Sequence, residues 1–186
     1  MPRIADKTLD DRILRAAQHL WRSRGEIALT IRAVAIAAGT TTTTVYKHFP
    51  SKKALQLALA QRVYQQMSEK VTAAKNLRQV YRNYLDFAEK HSWEYKLIFG
   101  PLWTEVIGPG QPRSVKTWLL QQSAKEFGGK PRDYEQLYQA LFLAAHGAAS
   151  LLTTTRHSRA NQEMRLNCLR VCDALVKNSK ILRRAN

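Results

Sequence analysis

Residues 30–49, TIRAVAIAAGTTTTTVYKHF, constrain this chain more than any other stretch. An Ala-rich apolar segment runs into one glycine, then five consecutive threonines, then Val-Tyr-Lys-His-Phe. Thr30 is suited to cap a helix, because a threonine oxygen accepts from the free N–H groups of a first turn. The inward face of that helix would be Ile31, Val34, Ala35 and Ala38. Gly39 follows where a helix end needs a residue at ease with positive φ. Thr41 is placed to cap a second short helix, with Val45 and Phe49, four residues apart, facing inward. Two short helices joined by a turn of three or four residues containing glycine make a helix-turn-helix, whose second helix enters the DNA major groove. The β propensity of threonine points instead to a strand. A five-residue strand, however, would lack a partner in a chain that reads as helical elsewhere.

Composition agrees with a helical protein. The 186 residues include only 8 glycines and 6 prolines, with 45 % hydrophobic and 24 % charged residues, which is an ordinary globular balance. The formal charge of +16 is not ordinary and implies attraction to a polyanion. Residues 1–70 carry 12 basic against 5 acidic side chains and residues 71–186 carry 18 against 9, so charge alone does not locate a nucleic-acid site. The motif locates it. No uncharged apolar run of 18 residues exists, so no transmembrane helix is expected, and the first eleven residues lack the apolar core of a signal peptide. Cys168 and Cys172 lie one helical turn apart, side by side rather than facing, which suits free thiols in a cytoplasmic protein.

Along the chain, residues 1–8 read as a short basic arm. An amphipathic helix begins near Asp10, with Ile13, Ala16, Ala17, Leu20 and Trp21 on one face and Gly25 as its stop. Trp21 is expected to pack against the helix-turn-helix. After Pro50 a long helix over 51–74 carries Leu55, Ala58, Leu59, Val63, Met67 and Val71. Lys52 and Lys53 sit in its first turn, the unfavourable end for a cation, which suggests an external anion there. Further helices are expected over 76–91, over SWEYKLIF from Ser92, and over 113–127, 131–154 and 161–178. The stretch 108–112 reads as a loop, and the tail from 177 as basic and loose. The fold class is all-α: an N-terminal three-helix bundle with the helix-turn-helix, then a larger C-terminal bundle, about nine helices in all. The domains are 1–50 for DNA binding and 51–186 for ligand binding and dimerisation, with 51–75 as the connecting helix.

Thr30, Arg32, Val34-Ala35, Ala38-Gly39, Tyr46, His48, Phe49 and Lys52 together resemble the DNA-binding signature of TetR-family transcriptional regulators. Thr40 stands where that family usually has Val, Thr43 where it has Gly, and Val34 where Ile is commoner. The resemblance is strong over residues 10–60 and weak beyond. It implies a repressor that leaves a palindromic operator on binding a small molecule, and that works as a homodimer through its two C-terminal helices. It also implies that Lys52 contacts backbone phosphate. His146-Gly147 resembles part of a Trp-His-Gly motif of one TetR-type C-terminal domain, with Ala145 in place of the Trp.

The DNA-binding candidates are Thr30, Arg32, Thr41, Thr42, Thr44, Tyr46, Lys47, His48 and Lys52. Arginine is the commonest reader of guanine, and a threonine hydroxyl and methyl can meet a base edge or phosphate and a thymine methyl. Tyr46, Lys47, His48 and Lys52 are expected to hold phosphates and so fix register. The ligand-binding candidates are Tyr84, Trp93, Phe99, Trp103, Trp118 and His146, an aromatic set suited to a small hydrophobic or aromatic effector. No metal site, cofactor or membrane partner is expected, and no catalytic constellation stands out. Two other readings use the same charge: a sequence-indifferent architectural DNA-binding protein, and a helical enzyme or binding module for acidic ligands.

Overall fold

The computed structural model describes residues 7–107, 114–154 and 159–182. The expected loop at 108–112, most of the N-terminal arm and the last four residues lie outside them. Every regular element among the described residues is helical. Ten α-helices follow in order: α1 Lys7–Arg24, α2 Ile31–Ala37, α3 Thr42–His48, α4 Lys52–Thr72, α5 Leu77–Lys90, α6 Ser92–Ile98, α7 Trp103–Val106, α8 Ser114–Phe127, α9 Glu135–Leu152 and α10 Arg159–Lys177. Short 3-10 turns at Gly25–Ala28 and Pro131–Tyr134 precede α2 and α9. The expectation of about nine helices lacked α7, a single turn after Gly100-Pro101. The fold is that of an N-terminal helix-turn-helix segment followed by a larger helical C-terminal part.

The chain forms two compact units. The first comprises 1–64 together with 93–109, and the second comprises 65–92 and 110–186. This division does not coincide with a boundary at residue 50, because α6 and α7 belong with α1–α3 and the first half of α4. In the first unit the core is built from Ile13, Ala17, Leu29, Val34, Val45, Leu55, Leu59 and Ile98, all buried. Ala58 of the expected α4 stripe and Ile31 of the expected α2 face are only partly covered.

α6 is held in the first unit by contacts more than 70 residues distant in sequence. Trp21 donates from Nε1 to the Trp93 carbonyl at 2.7 Å. The Glu94 carboxylate, 2 % exposed, accepts from Gln18 Nε2 at 2.7 Å and from Arg22 Nε at 2.9 Å. Gly25, with φ +62°, ends α1, and the six-membered ring of Trp93 lies where a side chain on Gly25 would begin. Trp21 thus packs on α6 as well as within the unit's core.

In the second unit α5 buries Leu77, Val80, Tyr81, Tyr84, Leu85, Phe87 and Ala88, the face its periodicity predicts. It packs with α9 and α10, the two long helices. Arg165 of α10 bonds both Asp86 and Glu89 of α5, and the Tyr81 hydroxyl donates to Asp173 at 2.6 Å. Burial, with the neighbouring Asp173 carboxylate, holds the Tyr81 phenol far above its ordinary range. Cys168 and Cys172 are free and buried in α10. The bond with Cys168 together with burial keeps the Cys172 thiol protonated, which makes a structural thiol of it.

Candidate nucleic-acid interface

The turn between α2 and α3 is built by local chemistry. Thr30 accepts from the Ala33 N–H at 3.1 Å and so caps α2. At the other end Gly39 takes φ +61°, its N–H reaches the Ile36 carbonyl, and the Thr40 N–H reaches the Ala35 carbonyl. That pair of bonds is a Schellman stop, which closes the helix and turns the chain in two residues. Thr41 then caps α3 by accepting from the Thr44 N–H at 3.2 Å, and its Oγ1 lies 2.9 Å from that of Thr44. Val45, fully buried, and Phe49 anchor the helix. The threonine run is therefore helical: its first members form the turn and cap, and tertiary anchoring at Val45 and Phe49 overrides strand propensity.

With Val45 inward, α3 presents Thr42, Thr43, Tyr46 and Lys47 to solvent; Tyr46 is 52 % exposed. Thr43 was absent from the candidates, although it lies one turn before Lys47 on the same face. Thr44 was among them, but it is half-buried and its hydroxyl is tied to Thr41. Thr30 and Thr41 are exposed, with their oxygens engaged as caps. Arg32 projects from the first turn of α2, exposed, and like Lys47 it makes no ion pair among the described residues.

Two candidate phosphate holders have partners within the protein. His48 is 17 % exposed, and its Nδ1 lies 2.5 Å from Asp10 Oδ1 on α1. The next residue, Asp11, takes Arg62 of α4 at 2.5 Å. Arg62 also holds the Asp11 carboxyl below the usual carboxylate range. Two adjacent carboxylates on α1 therefore brace α3 and α4 separately. Lys52 Nζ sits 3.6 Å from Glu26, and Lys53 Nζ sits 3.0 Å from Glu105. The adverse position of these lysines at the start of α4 is thus offset by internal carboxylates, with no external anion required. Glu26 and Glu105 escaped the sequence reading because they come from other elements.

The six ligand candidates divide between the units. In the second, the Tyr84 hydroxyl lies 3.1 Å from His146 Nδ1. His146 also stacks on Phe142, with ring centroids 5.2 Å apart, and Trp118 is half-buried on α8. In the first, Phe99 packs on Trp103 with centroids 4.6 Å apart, while Trp93 covers Gly25 and carries Lys96 over its ring. Tyr84 and His146 are therefore brought together, and so are Phe99 and Trp103.

Burial lowers the proton affinity of His146 below its ordinary 6.5. The unfolded chain then binds more protons than the folded one below about pH 6.5, so this group's contribution to stability is complete above that value and is lost on acidification. The expected result is that His146→Gln flattens the fall in urea midpoint between pH 7.5 and pH 5 relative to wild type. An unchanged pH dependence would show that His146 folds with no shift.

Among the described residues no group of three or more His, Cys, Asp or Glu is arranged to hold a metal ion, and no helix is long and apolar enough to cross a membrane.

A capped, glycine-stopped helix pair that carries an exposed polar and basic second helix defines a helix-turn-helix DNA-binding protein. Residues 13–59 match the family model of the bacterial regulatory proteins, tetR family. The match spans the helix-turn-helix and its flanking helices, so this segment is of the tetR type. Comparison with curated proteins gives no significant match. Among solved structures, a TetR transcriptional regulator from Streptomyces coelicolor is similar with a TM-score of 0.70 and 21 % identity, over 94 % of this chain and 99 % of that one. A TetR-family regulator from Mesorhizobium loti gives a TM-score of 0.63 at 20 % identity, covering 92 % of this chain and 94 % of its own. A TetR-like regulator from a Rhodococcus species gives 0.61 at 17 % identity, covering 96 % and 99 %. At these identities the likeness is one of fold.

Proposed function

We propose that this regulator is a sequence-specific repressor that binds a palindromic operator as a homodimer and releases it when a small molecule binds. The observation that carries the reading is the exposed face of α3, formed by Thr42, Thr43, Tyr46 and Lys47 behind a buried Val45. Thr42 and Thr43 offer hydroxyls and methyls to base edges, and Arg32 offers a bidentate donor for guanine. Tyr46 and Lys47 fit phosphates, which fix register. Lys52, paired with the exposed Glu26, can exchange that partner for a phosphate at small cost, because an exposed ion pair contributes little. His48 acts chiefly by bracing α3 against Asp10.

One such helix reads only a few base pairs, so two copies about 34 Å apart, or a multiple of that, supply the needed specificity. The second unit supports a dimer through α9 and α10. Leu143 and Leu151 of α9 and Leu166 and Val171 of α10 are all large, apolar and about half exposed or more. Gly147, between the two α9 leucines, has open space around it and permits close approach. For the effector, the Tyr84–His146 pair, with Trp118 on α8 of the same unit, favours a small hydrophobic or aromatic molecule. In functional terms residues 1–50 serve DNA binding and 51–186 ligand binding and dimerisation. The protein acts in the cytoplasm, without enzymatic activity.

Affinity for the selected operator against scrambled DNA at one physiological salt concentration tests the reading. Specific binding should exceed random binding by at least ~10³-fold. A ratio near one would favour the architectural alternative suggested by the +16 charge. Arg32→Ala should chiefly relax specificity, whereas Lys47→Ala should weaken specific and random DNA alike and reduce the salt slope by roughly one unit. Equal loss on both DNAs with Arg32→Ala would remove it from base reading.

A further inference from the structure

The second unit contains a cavity of about 400 Å³ that neither the recognition face nor the Tyr84–His146 pair uses. Its size lies in the range of small-molecule sites. Three helix ends frame it: the start of α5, the end of α8 and the end of α10.

Its charge is unbalanced. Arg78, Lys177 and Lys180 line it against one carboxylate, Glu126. Arg78 shares Asp173 at 3.5 Å, but Lys177 and Lys180 make no ion pair among the described residues. Both lysines complement the negative end of α10, yet neither carries a fixed counter-ion. The start of α5 adds the first-turn N–H groups of Leu77 and Arg78, which have no acceptor within the helix, and its first turn contains no acidic residue.

A second feature is independent of these charges. Ser179 is 2 % exposed, lines the cavity, and makes no side-chain hydrogen bond among the described residues. Its hydroxyl, which can both donate and accept, is therefore available to an occupant of the cavity. The remaining wall is apolar, provided by Leu77, Phe127 and Val176.

We propose that this cavity is a small-molecule site for an amphipathic organic anion. The anionic head would sit among Lys177, Lys180, Arg78 and the Ser179 hydroxyl, and a short apolar chain would lie against Leu77, Phe127 and Val176. The site is separate from the aromatic effector candidates and does not depend on the DNA-binding reading, so its test uses no DNA.

The test is calorimetric titration of the full-length protein with octanoate, with 1-octanol and inorganic phosphate as separate arms. Octanoate is expected to bind saturably, and 1-octanol, which lacks the charged hydrogen bonds, and phosphate, which lacks the apolar chain, should each bind at least about tenfold more weakly. The double substitution Lys177→Gln with Lys180→Gln, at two exposed positions, should weaken octanoate about tenfold while leaving the circular dichroism spectrum unchanged. Ser179→Ala should weaken it several-fold. Octanoate binding that survives the double substitution, or 1-octanol or phosphate binding as tightly as octanoate, would overturn the proposal. So would the absence of saturable octanoate binding.

Discussion

Gly25→Ala is expected to destabilise the protein by about 3 kcal/mol, whereas Gly39→Ala should cost only about 1 kcal/mol. The two glycines have nearly the same backbone, φ +62° and φ +61°, so the penalty of placing an L side chain in the left-handed region is common to both. They differ in surroundings. A Cβ on Gly39 meets nothing within 4 Å, while one on Gly25 would lie 2.5 Å from Cε3 of Trp93. That separation is far inside van der Waals contact, so the indole must move. Its backbone carbonyl, however, is held by Trp21 Nε1, and the next residue is the buried Glu94. Overpacking of this kind adds roughly 1–3 kcal/mol to the shared backbone cost. Urea unfolding of both variants checks the difference, and equal destabilisation would mean that Trp93 is free to swing away.

The second large effect concerns the knot around Glu94. Arg22→Ala is expected to cost about 2 kcal/mol, and Glu94→Gln much less. A carboxylate that is 2 % exposed loses hydration on folding and depends on its partners, so removing the guanidinium leaves a buried charge short of compensation. The loss is smaller than for a fully enclosed pair because Arg22 is half-exposed, at 51 %. Glutamine at position 94 keeps an oxygen for Gln18 Nε2 and for Arg22 Nε, and it carries no charge to desolvate. The double variant Arg22→Ala with Glu94→Gln should therefore recover most of the loss. A double-mutant cycle measured by urea unfolding reads this directly, and strict additivity would deny the coupling.

The parts of this protein that were legible in its sequence are those that local chemistry decides. Thr30 and Thr41 cap their helices through oxygens three residues from the N–H groups they serve, and Gly39 stops α2 through bonds that span five residues. Such features can be read from spacing alone. The apolar faces of α1 and α5 follow from helical period in the same way. What spacing could not supply were pairings made across the chain. Lys52 and Lys53 looked like cations awaiting an outside anion because Glu26 and Glu105 belong to other elements. His48 looked free for phosphate because Asp10 precedes it by 38 residues. Trp93 was grouped with the ligand aromatics because it lies in the aromatic-rich central stretch, and only the fold reveals the glycine beneath it. Thr43 was left out of the DNA-binding candidates, although the burial of Val45 turns it outward.

The assignment of α6 to the same compact unit as the helix-turn-helix bears on how such proteins can be cut and recombined. A fragment ending at residue 64 would lack Trp93 and Glu94, leaving Gly25 uncovered and Gln18 and Arg22 without their shared acceptor. A graft that moves the helix-turn-helix of this protein into another fold with its packing intact therefore has to carry two separate pieces of chain, the first 64 residues and a later segment beginning at Trp93. Splicing at a single junction after α3 or within α4 would transfer the letters of the motif without the clasp that holds its scaffold. The two compact units are, in this fold, interleaved along the gene rather than laid end to end.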